Sequence, residues 1–235
     1  MRIGVTERGD PSLDFSWIEK QKSCDGIILI TKNLTEKVKN NINFDKTILH
    51  NSCTGWGSTV IEPNILNFKS NLDNLNNFIR DGFPREQVVL RIDPIFPTQV
   101  GIKRALEVLS YSQEIGLLEG IRIRISILDL YAHVKERFSK MNFKVIPLPY
   151  DDVYKRLASF NSSVLFEVCA EPKLDKFIQI GCVSTKDLEI LGIEYNQQFS
   201  KGFQRKTCQC LSCKYELLTE KKRCGYNCMY CYWRD

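Results

Sequence analysis

Three cysteines, Cys224, Cys228 and Cys231, stand at C-x3-C-x2-C spacing in the segment Cys224-Gly-Tyr-Asn-Cys228-Met-Tyr-Cys231. A tight loop of this kind presents its thiolates on one side, and thiolates are the ligands that iron–sulfur clusters take. Three protein ligands on a four-iron cluster leave one iron open to a small molecule. The same thiolates with a fourth ligand nearby could instead hold a zinc ion, although zinc sites more often pair two C-x2-C units. A second set lies upstream, in Cys169, Cys182, Cys208-Gln-Cys210 and Cys213. Cys208 and Cys210 are close enough in sequence to share a metal, either a second cluster or a zinc ion, with Cys169 and Cys182 contributing. The competing reading of Cys169 and Cys182 is inert buried thiols. Cys24 and Cys53 read as ordinary core or loop residues.

Composition bounds the setting of these thiols. A chain of 235 residues, 43% hydrophobic, has ample length for a core. It shows no apolar run long enough to span a bilayer and no signal-peptide pattern, so the expected location is the cytoplasm, with no membrane partner. Ten cysteines in a reducing compartment favour metal binding over disulfides. The net charge of +5 is carried by residues 200–235, which hold eight Lys/Arg against three Asp/Glu. This basic stretch is interleaved with aromatic residues, including Phe203, Tyr215, Tyr226, Tyr230, Tyr232 and Trp233. Such a mixture could meet a phosphate backbone and stacked bases. Alternatively, the positive charge only compensates thiolates and an anionic cluster. With two histidines, His50 and His133, the second in a surface-type helical pattern, histidine acid–base chemistry has little support.

The elements that must position these residues read as alternating strands and helices. Apolar β-branched runs at residues 2–6, 26–31, 47–50, 87–92, 121–127 and 163–168, with a weaker one at 177–180, have the character of strands buried on both faces. Helical patterns follow at residues 63–82, opened by Pro63, and at 98–116, 130–141 and 151–160. Alternation of this kind implies parallel strands with crossover helices. Without a complete dinucleotide fingerprint (Gly55-Trp-Gly57 lacks the third glycine), the expected fold is α/β, a full or partial (β/α) barrel. The expected organisation is a barrel domain over residues 1–196 and a cysteine-rich basic tail over 197–235, packed on the barrel mouth.

Active-site groups of such barrels come from the carboxyl ends of the strands. Here these are Glu7 and Arg8, Thr31 and Lys32, Asn51 and Thr54, Arg91 and Asp93, Ser126 and Asp129, and Glu167 and Glu171. Arg91, Asp93 and Glu167 are the candidates for catalytic contact. Glu7, Thr54 and Tyr230 are the candidates for cofactor contact. An Arg91–Asp93 ion pair closing the barrel mouth is the structural alternative.

With Tyr230 before its last cysteine, the triplet resembles the signature of radical S-adenosylmethionine (SAM) enzymes. The wider order Thr31-Lys-Asn33, Thr54-Gly-Trp-Gly57, Ile61-Glu-Pro63, Arg91-Ile-Asp-Pro94, Cys169-Ala-Glu171, Cys182, Cys208-Gln-Cys210 and the triplet is similar to a largely uncharacterised bacterial family. Its members carry a radical-SAM-like cysteine cluster at the C-terminus, and some are labelled DNA repair photolyases by distant similarity to spore photoproduct lyase. The family usually has Asp-Ile-Gly between the C-x-C and the triplet, where this chain has Lys214-Tyr-Glu-Leu-Leu and a longer spacer.

The resemblance implies a radical-SAM-like barrel with its cluster loop displaced to the C-terminus. It also implies a [4Fe–4S] cluster on Cys224, Cys228 and Cys231 whose open iron chelates the amino and carboxylate groups of SAM. One electron from an external donor would then release methionine and a 5′-deoxyadenosyl radical acting on an unknown substrate. Apart from the resemblance, a basic and aromatic rim including Lys221, Lys222, Arg223 and Trp233 could admit a phosphate-bearing or nucleic-acid substrate. The rival expectations are a nucleic-acid-binding module or a barrel hydrolase with a zinc-structured cysteine tail.

Overall fold

The computed structural model describes residues 1–161, 163–171, 177–195, 208–218 and 224–232. The strands are β1 (Ile3–Val5), β2 (Gly26–Thr31), β3 (Thr47–Ser52), β4 (Val88–Ile95), β5 (Arg122–Ile127), β6 (Phe166–Val168), β7 (Phe177–Gln179) and β8 (Lys214–Glu216). The helices are α1 (Trp17–Lys20), α2 (Glu36–Lys39), α3 (Phe68–Arg80), α4 (Gln99–Glu114), α5 (Ala132–Lys140), α6 (Tyr150–Ala158) and α7 (Thr185–Ile190). All strands pair in parallel in one sheet, ordered β7-β6-β5-β4-β3-β2-β1-β8. Each crossover from β1 to β7 therefore advances the chain by one strand.

Both faces of the sheet are covered, which is why the strands read as apolar. Side chains alternate in period two. Ile27, Leu29, Leu49, Val88, Leu90, Ile123 and Ile125 pack on one face in the cluster that includes Leu72 and Leu75 of α3, Val108 and Leu109 of α4, and Leu157 of α6. Ile3, Val5, Ile28, Ile48 and Val89 point the other way, against Val183, Leu188 of α7, Leu211 and Cys213. Burying one such Leu or Ile fully contributes roughly 1.5–3 kcal/mol. Further along the second face, the same period sets out His50, Arg91, Arg124 and Glu167, all buried. The polar interior layer therefore lies between an apolar plug and the carboxyl ends of the strands.

Of the full or partial barrel expected from the alternation, the α/β parallel sheet is present but is not closed into a barrel among the described residues. β7 and β8 are the edges of the sheet, and no ladder among the described residues joins them. Each is three residues long and pairs with a single neighbour. Across the gap, the Leu211 N–H donates to the Val183 carbonyl at 3.0 Å. β8 also draws part of the cysteine-rich segment into the sheet itself.

Two local differences from the sequence reading have clear causes. α3 starts at Phe68 rather than at Pro63, because Asn67 caps it by accepting from the Ser70 N–H. Residues 58–65 are held instead in turns, the Ser58 N–H donating to the Glu62 and Ile65 carbonyls. The turn requires glycine at position 57, where a Cβ would sit 1.8 Å from the Leu66 carbonyl oxygen. No helix among the described residues is long and apolar enough to cross a membrane.

Candidate functional site

A cavity of about 270 Å³ opens at the carboxyl ends of the strands, and both cysteine sets line it. Cys169, Cys182, Cys208 and Cys210 form one wall and Cys224, Cys228 and Cys231 another, with Glu7, Lys32, Arg91, Asp93 and Tyr230 between them. This brings together residues more than two hundred positions apart in sequence. Among the described residues, which include all ten cysteines, there is no disulfide.

The triplet loop is anchored from below by a buried polar cluster. The Tyr230 hydroxyl donates to Glu62, which also accepts from the Lys32 ammonium at 2.9 Å and from Thr54 Oγ1 at 2.6 Å. Burial opposes the Lys32 charge, but Glu62 and then Cys228 outweigh it and hold the ammonium pKa above its usual value. Burial likewise opposes the Glu62 carboxylate, but Lys32 and the hydrogen bonds from Thr54 and Tyr230 together outweigh it and hold Glu62 below the usual range. The Tyr230 ring packs edge-on to Phe96 at 5.7 Å. Arg137 on α5 donates to the Met229 and Cys231 carbonyls at 2.6 and 2.9 Å, and the Met229 N–H donates to the Ile61 carbonyl at 2.9 Å. Asp10 ties the neighbouring loop, accepting from Ser12, Thr31 Oγ1 and the Lys32 N–H. Burial pushes the Cys228 thiol up to about 12, and Cys224 also upward.

The second thiol set is tighter. Cys169 Sγ and Cys182 Sγ lie 3.5 Å apart, the Cys182 N–H donates to Cys210 Sγ at 3.1 Å, and the Cys210 N–H donates to Cys208 Sγ at 3.5 Å. All four residues are buried in one cluster. Glu7, Cys182 and Cys210 present ligand atoms within 4.8 Å of one another, a spacing that could hold a metal ion. Hydrogen bonds from the Cys169 and Cys210 thiols, then the Arg91 and Arg124 charges, hold the Cys182 thiol well below its ordinary pKa. Burial raises Glu7 to about 7 against the pull of Lys214, whose ammonium sits at 3.0 Å. Neither the triplet sulfurs nor Cys169 and Cys208 complete a group within that 4.8 Å span among the described residues.

The other sequence candidates fall in distinct places. Arg91 and Asp93 line the cavity as an ion pair, and Arg91 Nη1 lies 3.6 Å from Cys182 Sγ. Glu167 does not line the cavity. Its oxygens accept from Arg124 Nε and Nη2 at 2.9 and 2.6 Å and from Arg122 at 3.4 Å, deeper in the second face. Thr54 sits behind the wall, spent on Glu62. Lys221, Lys222, Arg223, Trp233 and Phe203 lie outside the described residues. His133 is exposed, its ring stacked on Tyr131.

Sequence reasoning passed over Asp10, Arg124 and Arg137. Arg124 had a signal, because Arg122-Ile-Arg-Ile-Ser126 alternates polar and apolar side chains and so puts both arginines on one face. Asp10 and Arg137 had none, since each acts through contacts distant in sequence.

No curated protein and no solved structure matches this chain. A family model described as a domain of unknown function, DUF1848, matches residues 14–233. That span takes in both cysteine sets and every strand except β1, and the chain accordingly belongs to the DUF1848 family.

Proposed function

We propose that this protein is an iron–sulfur enzyme of the radical SAM type, with the cluster held by Cys224, Cys228 and Cys231. The observation that carries the reading is the placement of the triplet. Three thiols on one loop face a cavity at the carboxyl ends of parallel strands. The donor set suits a four-iron cluster with one open corner. When bound, such a cluster supplies one-electron reduction of the SAM sulfonium by an external donor, releasing methionine and a hydrogen-abstracting 5′-deoxyadenosyl radical.

The chain's own residues would then bind, orient and exclude water. Lys32, kept cationic by Glu62, places a positive charge near Cys228 and offsets thiolate charge. Tyr230 and Arg137 hold the last turn of the loop, so the three sulfurs keep a fixed separation. Asp93 paired with Arg91, and Glu7 paired with Lys214, set both signs of charge at the cavity, which suits the amino and carboxylate groups of SAM. Phe96, Tyr226, Met229 and Tyr230, all buried, close off the base of the loop from water.

The test is anaerobic reconstitution with iron and sulfide. The expected outcome is a chromophore whose electron paramagnetic resonance signal, once reduced, changes on adding SAM, with 5′-deoxyadenosine formed under dithionite. Replacing Cys224, Cys228 and Cys231 by Ala removes both. A triple variant that keeps its iron and sulfide, or a wild-type cluster indifferent to SAM, would sink the reading.

A further inference from the structure

We propose that Cys169, Cys182, Cys208 and Cys210 bind a single zinc ion in a tetrahedral thiolate site, which joins the two open edges of the sheet. The proposal does not depend on the radical SAM reading, because it concerns a different wall of the cavity.

The topology supplies the first argument. Cys169 follows β6, Cys182 follows β7, and Cys208 and Cys210 precede β8. β7 and β8 are the unpaired edges, so the four thiols come from both sides of the gap that keeps the sheet from closing. One metal ion there does what the missing ladder does not.

Distance supplies the second. Zinc–sulfur bonds of about 2.3 Å in a tetrahedron put the sulfurs about 3.8 Å apart. The Cys169–Cys182 sulfur separation is 3.5 Å and the Cys182 and Cys210 sulfurs fall within the 4.8 Å group, while Cys169 and Cys208 lie outside that group and would have to draw in on binding the ion. Cysteine sulfurs bound to the irons of a four-iron cube stand further apart than those around one zinc ion, so the close Cys169–Cys182 pair suits a single ion. Glu7 shares the 4.8 Å span, but its carboxylate engages Lys214 at 3.0 Å, leaving the four thiols as the ligand set.

The surroundings supply the third. Four thiolates and a divalent cation leave a double negative charge. Arg91 Nη1 lies 3.6 Å from Cys182 Sγ, and Arg124 Nη1 donates to the Gly181 carbonyl at 3.0 Å, fixing the turn that carries Cys182. Backbone N–H groups of Cys182 and Cys210 already donate to sulfur, as the outer contacts of thiolate metal sites do. Position 181 has no room for a side chain, since a Cβ there would sit 2.5 Å from the Cys210 backbone nitrogen. The two edge segments thus meet at backbone contact where the ion would sit.

The experiment loads the full chain with zinc alone, removes excess metal and measures metal per chain. Cobalt substitution of the wild type gives a second readout, because tetrahedral thiolate cobalt shows intense sulfur-to-metal charge transfer. The expected result is one zinc per chain, retained when Cys224, Cys228 and Cys231 are all Ala. Cys182→Ser and Cys210→Ser should each lower zinc affinity by at least about tenfold, and Glu7→Gln should leave stoichiometry unchanged. In the wild type, stripping zinc with a chelator should speed amide exchange at β8 and leave β2 to β5 unchanged. Three results would overturn the proposal: a wild type that binds no zinc and shows no thiolate cobalt spectrum, zinc that disappears with the triplet, or additional iron and sulfide held by these four thiols.

Discussion

The buried charges on the second face decide which candidates touch ligand and which hold the wall. Glu167 satisfies two arginines, and removing one partner of such a buried cluster leaves an uncompensated charge at a cost of about 3–5 kcal/mol. Glu167→Ala should therefore lower the urea midpoint by that equivalent while the iron bound per folded chain stays at the wild-type level. A variant of unchanged stability that loses the cluster would return Glu167 to the cofactor. Lys32→Met poses the converse problem, stranding the Glu62 carboxylate beside Tyr230. It should destabilise the fold by a similar amount and also weaken iron retention, since the Tyr230 turn is tied through Glu62; unchanged iron retention per folded chain would disconnect the two. The cysteine spacings were legible because thiol chemistry requires them to be short. The anchors Asp10 and Arg137 were not, because a single Asp or Arg in a loop or helix carries no mark of the distant carbonyl or N–H it will meet.

Strands β2 to β5 were readable from their apolar runs, because burial on both faces leaves a continuous signal. The same runs concealed the polar layer within them. His50 sits in β3 with 0% exposure, and neither ring nitrogen finds a partner among the described residues. Burial, then the nearby positive charges of Arg124 and Arg91, hold its pKa well below the usual histidine value, with Cys182 pulling weakly the other way. The unfolded chain takes up a proton as the pH falls through about 6.5, whereas the folded chain does not. Stability is thus fully present above that pH and falls below it, by up to about 1.4 kcal/mol per pH unit, until the folded-state pKa is reached. Glu7, raised to about 7 by burial, takes up a proton in the folded chain over the same range and offsets this slope. Chemical denaturation of the metal-free chain between pH 7 and 5 should therefore show the His50 effect as a difference, His50→Leu losing less stability than the wild type as the pH falls. An identical pH dependence in His50→Leu would exclude β3 as a source.

At the scale of the molecule, what could not be read was the closure of the sheet. Alternating strands and helices are equally compatible with a closed barrel and an open sheet, because the difference rests on whether the first and last edges pair. Here those edges are β7 and β8, and Lys214-Tyr-Glu216 is too short and too mixed to announce a strand. The consequence is an uneven distribution of stability. The central strands β2 to β5 have two neighbours each and a core on both faces, so their amides should open only with the whole fold. β7 and β8 have three residues and one neighbour each, and should open locally at much lower cost. Hydrogen exchange on the metal-free protein should therefore show fast exchange at β7 and β8 against slow exchange at β2 to β5. Raising denaturant towards the midpoint should merge the two groups, because global unfolding then dominates both. If the edges are as protected as the centre without metal, the sheet is closed in solution and the gap between β7 and β8 is not a gap. If the centre exchanges as fast as the edges, the two-faced core does not provide the stability its burial implies.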